Sequence, residues 1–347
     1  MPEVTTVRVE MGDRSYPVHV GGGARHLLAG SLPARTRRVA VVTQEAVPSF
    51  LVPEFDSAAV SVHTIGSGED DKSLSTVERL CREFSRAGLT RSDMVVGVGG
   101  GMVTDVAGFA AATYHRGVPV MHVATSLLAM VDAAIGGKTG VNIPEGKNLI
   151  GAFWQPTAVA CDTEALASLP VRESDCGKGE MAKYHFIARE DLSVLPLEGR
   201  IARSVAIKAG IVAQDEREGG IRALLNYGHT LAHALETLTD YSIAHGEAVA
   251  LGLLFAAHLA EAMGRIDAAR VEEHYRVVRE VYGLGVVLPG AVTDVRSVID
   301  EMGRDKKALG SLTFVLDSGR GLEVVEDVPA ARIGEAWEVF RARNSGG

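Results

Sequence analysis

Cysteine is scarce and unpaired in this chain. Cys81, Cys161 and Cys176 are the three, spread over 347 positions with no C-x-x-C motif and no even-numbered framework. That excludes a disulfide scaffold and is the thiol usage of a reducing compartment. Long apolar runs are missing too. The most apolar helical stretch, Ala248 to Ala257, is interrupted by His258 and Glu261, short of the roughly 18 residues that a membrane span needs. The first residues, MPEVTTVRVEMGD, have neither the basic region nor the apolar core of a secretion signal. These absences predict a cytoplasmic protein with no membrane partner. Basic excess is absent as well, with 35 Lys and Arg against 44 Asp and Glu and a net charge of −9. Nucleic acid is thereby excluded as a general partner, and an anionic ligand needs a local basic pocket. There is no internal repeat and no low-complexity tract.

What is present is an ordinary globular composition, 46% hydrophobic and 23% charged. The length predicts two domains. Val4 to Glu10 and Ser15 to Val20 alternate around Gly12-Asp13 as a hairpin, and Arg38 to Thr43 is a short buried strand. Ser75-Thr76-Val77-Glu78 has the form of a capping box, opening a helix that Gly88 ends. Strands follow at 94–98, 118–124 and 158–162, with a helix to Tyr114 between the first two. Beyond Pro170 the period turns helical, with candidate helices at 177–190, 199–216, 222–239, 246–263 and 267–283. A hairpin (312–316 and 322–325) and a closing helix (330–343) end the chain. The expected fold is a Rossmann-like α/β domain with a mostly parallel sheet over 1–172. A mainly helical domain, all-α apart from that hairpin, follows over 173–347, with the site in the cleft between the two.

The densest information lies between Val95 and Pro156. Met94-Val95-Val96 runs into Gly97-Val98-Gly99-Gly100-Gly101 and then into a helical period. Strand, glycine loop and helix N-terminus bring free N–H groups and a positive dipole end to one point, a place for pyrophosphate. The G-x-G-x-x-G spacing fails because position 102 is Met, so a tight turn without a ligand stays open. Gly136-Gly137-Lys138-Thr139-Gly140 is no P-loop, since position 132 is Asp. With Gly146-Lys147-Asn148 it nevertheless reads as a second anion site on glycine-rich turns, or as solvated surface lysines.

His229 and His233 stand at i, i+4 on one helical face. His245 precedes another helix, and Glu180 lies on a third. Histidines and a glutamate suit Zn²⁺ with an open position; the same residues could instead cap and hydrogen-bond among helices. Lys183, Lys208, Arg222, Asn226 and Lys306-Lys307 could clamp a phosphate and a carboxylate. Alternatively Lys208 and Arg222 pair with Asp215 and Glu216 on a solvated helix. His115, His185 and His274 read as ordinary histidines.

Together GGGMVTDVAGFAAATYHRG, VDAAIGGKTGVN, GKNLIGAFWQP, GEMAKY, LLNYGHTLAHALE and HGEAVALG resemble 3-dehydroquinate synthase, within the sugar-phosphate cyclases. The resemblance covers nearly the whole chain. It implies an NAD- and zinc-dependent lyase of the shikimate pathway, leading to chorismate and the aromatic amino acids. Its substrate would be 3-deoxy-D-arabino-heptulosonate 7-phosphate, with Co²⁺ as a possible substitute metal. By the same matching the metal ligands would be Glu180, His229 and His245. NAD would lie on Gly99, Gly100, Gly101, Met102, Val103, Thr104 and Asp105, with Glu69 and Lys72 near the ribose. Thr125, Ser126, Lys138, Lys147, Leu166 and Ser168 would line the rest. Lys138, Asn148, Asn226, His233 and one lysine of the Lys306-Lys307 pair, Lys306 or Lys307, match phosphate-holding positions. Asp132, Lys183, Lys208 and Arg222 match the remaining substrate shell, the last two for the carboxylate. Arg116 would reach into a neighbouring subunit's site, which implies a homodimer. Ala124 stands where a proline is common, and Gln44 where Asp or Asn often meets the ribose.

Four other readings remain. A sister cyclase acting on sedoheptulose 7-phosphate needs no carboxylate clamp, so Arg222 argues against it. An amino-dehydroquinate synthase takes a substrate differing by one nitrogen. A polyol or glycerol-phosphate dehydrogenase would release NADH. A binding-only protein would need none of this chemistry.

Overall fold

The protein, seen as a computed structural model, is described for residues 4–292, 294–304 and 312–345. The chain divides into two compact units, one of residues 1–174 and 195–217, the other of residues 175–194 and 218–347. The sequence predicts a single boundary at 172/173. The difference is the stretch 195–217, which packs with the first unit although it follows the helix that opens the second. Helical period alone carries no information about which core a helix joins.

The first unit is built on a seven-stranded sheet in the order β1-β2-β9-β6-β5-β3-β4. Its strands are β1 (Thr5–Val9), β2 (Tyr16–Gly21), β3 (Arg38–Gln44), β4 (Ala59–Ile65), β5 (Met94–Gly99), β6 (Val120–Ala124) and β9 (Ala158–Asp162). β1 pairs antiparallel with β2 as the expected hairpin; every other pairing is parallel. Buried parallel strands are apolar throughout, and β5, β6 and β9 are buried along their whole length. β4 gives no sequence signal because it is an edge strand with exposed Val60 and Val62.

Helix α1 (Leu74–Arg86) begins a residue before the expected box. Its cap is Ser73, whose hydroxyl accepts the Thr76 N–H, while Glu78 pairs outward with Arg82. Helix α2 (Gly101–Thr113) follows β5 directly, and its Val103, Val106 and Ala110 pack with Phe84 and Leu80 of α1. The segment read as glycine-rich turns is a two-stranded antiparallel hairpin, β7 (Lys138–Ile143) with β8 (Gly146–Phe153). Its glycines allow the strands to approach: a Cβ on Gly151 would lie 2.1 Å from the Thr139 carbonyl oxygen.

The second unit is mainly helical. α3 (Val171–Ala188) leads into it, and α4 (Leu197–Gln214) returns to the first unit. α5 (His229–Leu238), α6 (His245–Ala262), α7 (Ala268–Tyr275), α8 (Val295–Arg304) and α9 (Ala330–Asn344) follow. α6 is buried on every side from Ala248 to Ala260, as a helix apolar all round must be. Phe255 on α6 meets Trp337 and Phe340 on α9. The expected hairpin is β10 (Phe314–Asp317) with β11 (Leu322–Val325). The helix predicted over 222–239 is in fact broken: a 3-10 turn over Ile221–Asn226 ends at Tyr227, and Gly228 at φ +82 restarts the chain as α5. Among the described residues no helix is long and apolar enough to cross a membrane.

Candidate active site

In the second unit three ligand-type side chains converge. Glu180 comes from the middle of α3, His229 from the first residue of α5 and His245 from the first residue of α6. Their donor atoms lie within 4.8 Å of one another. The Nε2 atoms of His229 and His245 are 3.2 and 2.9 Å from Glu180 Oε1. A tetrahedral ion with bonds of about 2.0–2.2 Å separates its donors by about 3.3–3.5 Å. The two Glu180–histidine spacings are within about half an ångström of that and all three donors stay within 4.8 Å, so the residues fit a small divalent cation.

Glycines let the three elements come this close. A Cβ on Gly179 would stand 2.1 Å from the Gly246 carbonyl oxygen, and one on Gly246 would stand 1.9 Å from that of Cys176. A Cβ on Gly252 would meet the Gly228 oxygen at 1.9 Å. Each ligand therefore adjoins a glycine, at 179, 246 or 228, at a backbone-to-backbone contact.

The other ring nitrogens are engaged. His229 Nδ1–H donates to the Tyr227 carbonyl at 3.2 Å, and His245 Nδ1 lies 3.3 Å from Glu236 Oε1. Both rings thus turn Nε2 toward Glu180. Tyr227 is itself held: its hydroxyl donates to His274 Nε2, and His274 Nδ1–H donates to the Arg270 carbonyl. His274 is a buried neutral histidine, lowered by burial to about 4. Burial opposes ionisation of Glu180, yet Lys183 and His229 hold its carboxyl well below the usual range. Burial by itself would lower His245, and the Glu180 and Glu236 carboxylates instead push it up to about 10. A metal ligand must be the neutral imidazole, so a cation at Nε2 would compete with the proton there.

Around this cluster, Lys183 is buried and ion-paired with Glu180. Arg222, 1% exposed, sits on the 3-10 turn. Asn226 donates to Glu218 Oε1 at 2.8 Å. His233 follows His229 on one face, ring centroids 5.6 Å apart, but is exposed and outside the ligand group. Lys306 lies outside the described residues.

The first unit gathers the residues matched to a nucleotide. Gly100 caps α2 without a side-chain bond, which leaves the first N–H groups of the helix open to an anion. The glycines also answer to packing: a Cβ on Gly99 would strike Val103 at 2.4 Å, and one on Gly101 would stand 3.1 Å from Ala133. Lys72 donates to Asp105 at 2.6 Å; burial pushes the Asp105 carboxyl up and Lys72 opposes it. Glu69 accepts from Asn142, whose own oxygen accepts the Asn148 N–H. Asn142 thus ties two expected site positions together, and the sequence reading did not single it out. Thr125 donates its N–H to Gly99, and Ser126 Oγ accepts the Ala129 N–H. Met102, Val103 and Thr104 fill the first turn of α2. Leu166 and Ser168 lie on a 3-10 turn after β9, and Lys147 on β8 is half-buried. Gln44 donates to the Gly66 carbonyl at 2.8 Å.

Lys208 on α4 donates to the carbonyl and the carboxylate of Asp132, at 2.6 and 2.8 Å. Glu216 accepts from Nη1 and Nη2 of Arg14 and from Gln155. Lys138, Arg116 and Asn148 are exposed, the last two at positive φ.

With this geometry in place, comparison with known proteins is direct. Residues 62–176 match the family 3-dehydroquinate synthase N-terminal, and residues 177–308 match 3-dehydroquinate synthase C-terminal. An inferred aminodehydroquinate synthase of Amycolatopsis mediterranei (strain S699) is 54% identical over 329 residues, covering 94% of this chain and 92% of that protein. A 3-dehydroquinate synthase of Brucella anthropi is 42% identical over 360 residues, with 95% of each covered. Among solved structures, a 2-deoxy-scyllo-inosose synthase complexed with carbaglucose-6-phosphate, NAD⁺ and Co²⁺ superposes with a TM-score of 0.85. It is 27% identical and covers 97% of this chain and 99% of that one. The chain therefore belongs to the 3-dehydroquinate synthase family of enzymes.

Proposed function

We propose that this enzyme is an NAD- and Zn²⁺-dependent carbocycle-forming lyase, converting 3-deoxy-D-arabino-heptulosonate 7-phosphate to 3-dehydroquinate and phosphate. The observation that carries the reading is the meeting of Glu180, His229 and His245. It occurs in a chain 42% identical over nearly its whole length to a 3-dehydroquinate synthase. When bound, NAD⁺ supplies reversible oxidation of a secondary alcohol and the metal a Lewis acid beside it, which permits β-elimination of phosphate before the ring opens and closes by an aldol step.

The chain's own residues bind and orient. Glu180, His229 and His245 hold the metal, and Co²⁺ would suit the same donors. The open N-terminus of α2, with Gly99 to Asp105, takes the pyrophosphate. Arg222 and Lys208 hold the substrate carboxylate, with Asp132 fixing the Lys208 ammonium. Lys183, beside Glu180, belongs to the same substrate shell. Lys138, Asn148, Asn226, His233 and Lys306 hold the phosphate, with Glu218 orienting Asn226. The active form is a homodimer in which Arg116 serves the neighbouring site.

A second reading has one specific support. Identity is 54% to the inferred aminodehydroquinate synthase against 42% to the Brucella enzyme, over similar coverage. Phosphate release should therefore be compared for the heptulosonate 7-phosphate, its amino analogue and sedoheptulose 7-phosphate. A higher kcat/KM for the heptulosonate supports the main reading, and a higher value for the amino analogue selects the second. Turnover of sedoheptulose 7-phosphate alone would contradict both.

A further inference from the structure

Beyond the three ligands, one acidic side chain faces the cluster from behind. Glu236 lies on α5 seven residues after His229, two turns along, so both occupy one face of the helix. It is 9% exposed, and its Oε1 is 3.3 Å from His245 Nδ1 while His245 Nε2 is 2.9 Å from Glu180 Oε1. We propose that Glu236 is a positioning residue of the metal centre, holding the His245 imidazole as the tautomer and rotamer that offers Nε2 to the cation. The proposal rests on the reading of Glu180, His229 and His245 as ligands.

The chemistry follows from the ring. A neutral imidazole has one lone pair, and the nitrogen that keeps its proton decides which atom can bind a metal. A carboxylate on Nδ1 keeps the proton there, raises the basicity of Nε2 and stops the ring from turning. His245 needs this more than His229 does. His245 is 31% exposed in its side chain and stands at the first residue of its helix, whereas His229 is 12% exposed and is fixed by the Tyr227 carbonyl. A neutral carbonyl behind one ligand and a carboxylate behind the other also raises the negative charge facing the ion. The bland alternative is that Glu236 merely ties α5 to the start of α6.

The test is a Co²⁺ titration of metal-stripped protein, read by visible absorption, for wild type, Glu236→Ala and Glu236→Gln. Glu236→Ala should weaken binding about 10–100-fold and alter the Co²⁺ bands. Glu236→Gln, whose amide oxygen still accepts from Nδ1–H, should fall between. Wild type and Glu236→Ala within twofold, with the same bands, would overturn the proposal while leaving the ligand reading intact. Should Glu236→Ala fail to fold, an unchanged affinity in Glu236→Gln overturns it, and a several-fold loss supports it. A wild type that takes up no Co²⁺ would instead sink the ligand reading on which the proposal rests.

Discussion

Replacing Gly252 by alanine sets two effects of opposite sign against each other. Gly252 is inside α6, where alanine is the better helix former by about 0.8–1 kcal/mol. The new Cβ, however, would lie 1.9 Å from the Gly228 carbonyl oxygen and 2.8 Å from its carbon. Carbon and oxygen tolerate about 3.3 Å, so the two backbones must part by about 1.4 Å. Both partners are main chain, with no flexible side chain to yield. Overpacking of this kind costs about 1–3 kcal/mol or more, which exceeds the propensity gain. The shift falls on the residue preceding His229, and metal sites tolerate about 0.5 Å of error. Metal-free Gly252→Ala should therefore melt below wild type and bind Co²⁺ at least tenfold more weakly. A variant that melts higher and keeps its affinity would show that propensity wins and that the glycine contact does not set the site.

Glu180→Gln should lose metal retention, seen as less than one-tenth of an ion per chain after dialysis. It should also remove the carboxylate that ion-pairs with the buried Lys183 and so lower the melting temperature of the metal-free protein. Arg222→Ala should cut kcat/KM for the acid substrate about 10–100-fold, from the roughly 1.5–3 kcal/mol of charge-assisted hydrogen bonds, and spare any residual turnover of sedoheptulose 7-phosphate. An equal loss on both would remove the carboxylate role. His122, buried in β6, is lowered by burial from 6.5 to about 4. Its folded pKa is below its unfolded one, so its contribution is full above about pH 6.5 and is lost as pH falls toward 4, by up to about 3 kcal/mol. Replacing it with Gln should flatten the stability–pH slope in that window by about 1.4 kcal/mol per pH unit, read from urea midpoints.

The strand, glycine loop and helix from Met94 to Thr113 were legible because a buried strand and an apolar helix differ in length and in glycine placement. Spacing along one helix brings His229 and His233 onto one face, whereas the cluster of Glu180, His229 and His245, expected from the resemblance, is formed by how α3, α5 and α6 cross. That crossing depends on backbone contacts at glycines 179, 228, 246 and 252. The break at Tyr227–Gly228 was hidden by helical period on both sides. The sequence reading did not single out Glu236 or Glu218, because nothing local marks their partners His245 and Asn226. The hairpin β7–β8 was mistaken for turns because its glycines serve close strand approach, a tertiary fact.

The central claim is that hydride leaves the substrate and returns to it within one turnover. Enzyme with one equivalent of NAD⁺ per site and Zn²⁺ should be mixed with excess 3-deoxy-D-arabino-heptulosonate 7-phosphate, following phosphate and absorbance at the NADH band together. The account predicts many equivalents of phosphate with no NADH beyond a fraction of the sites. Phosphate stopping at one equivalent, or NADH rising with product, would contradict it.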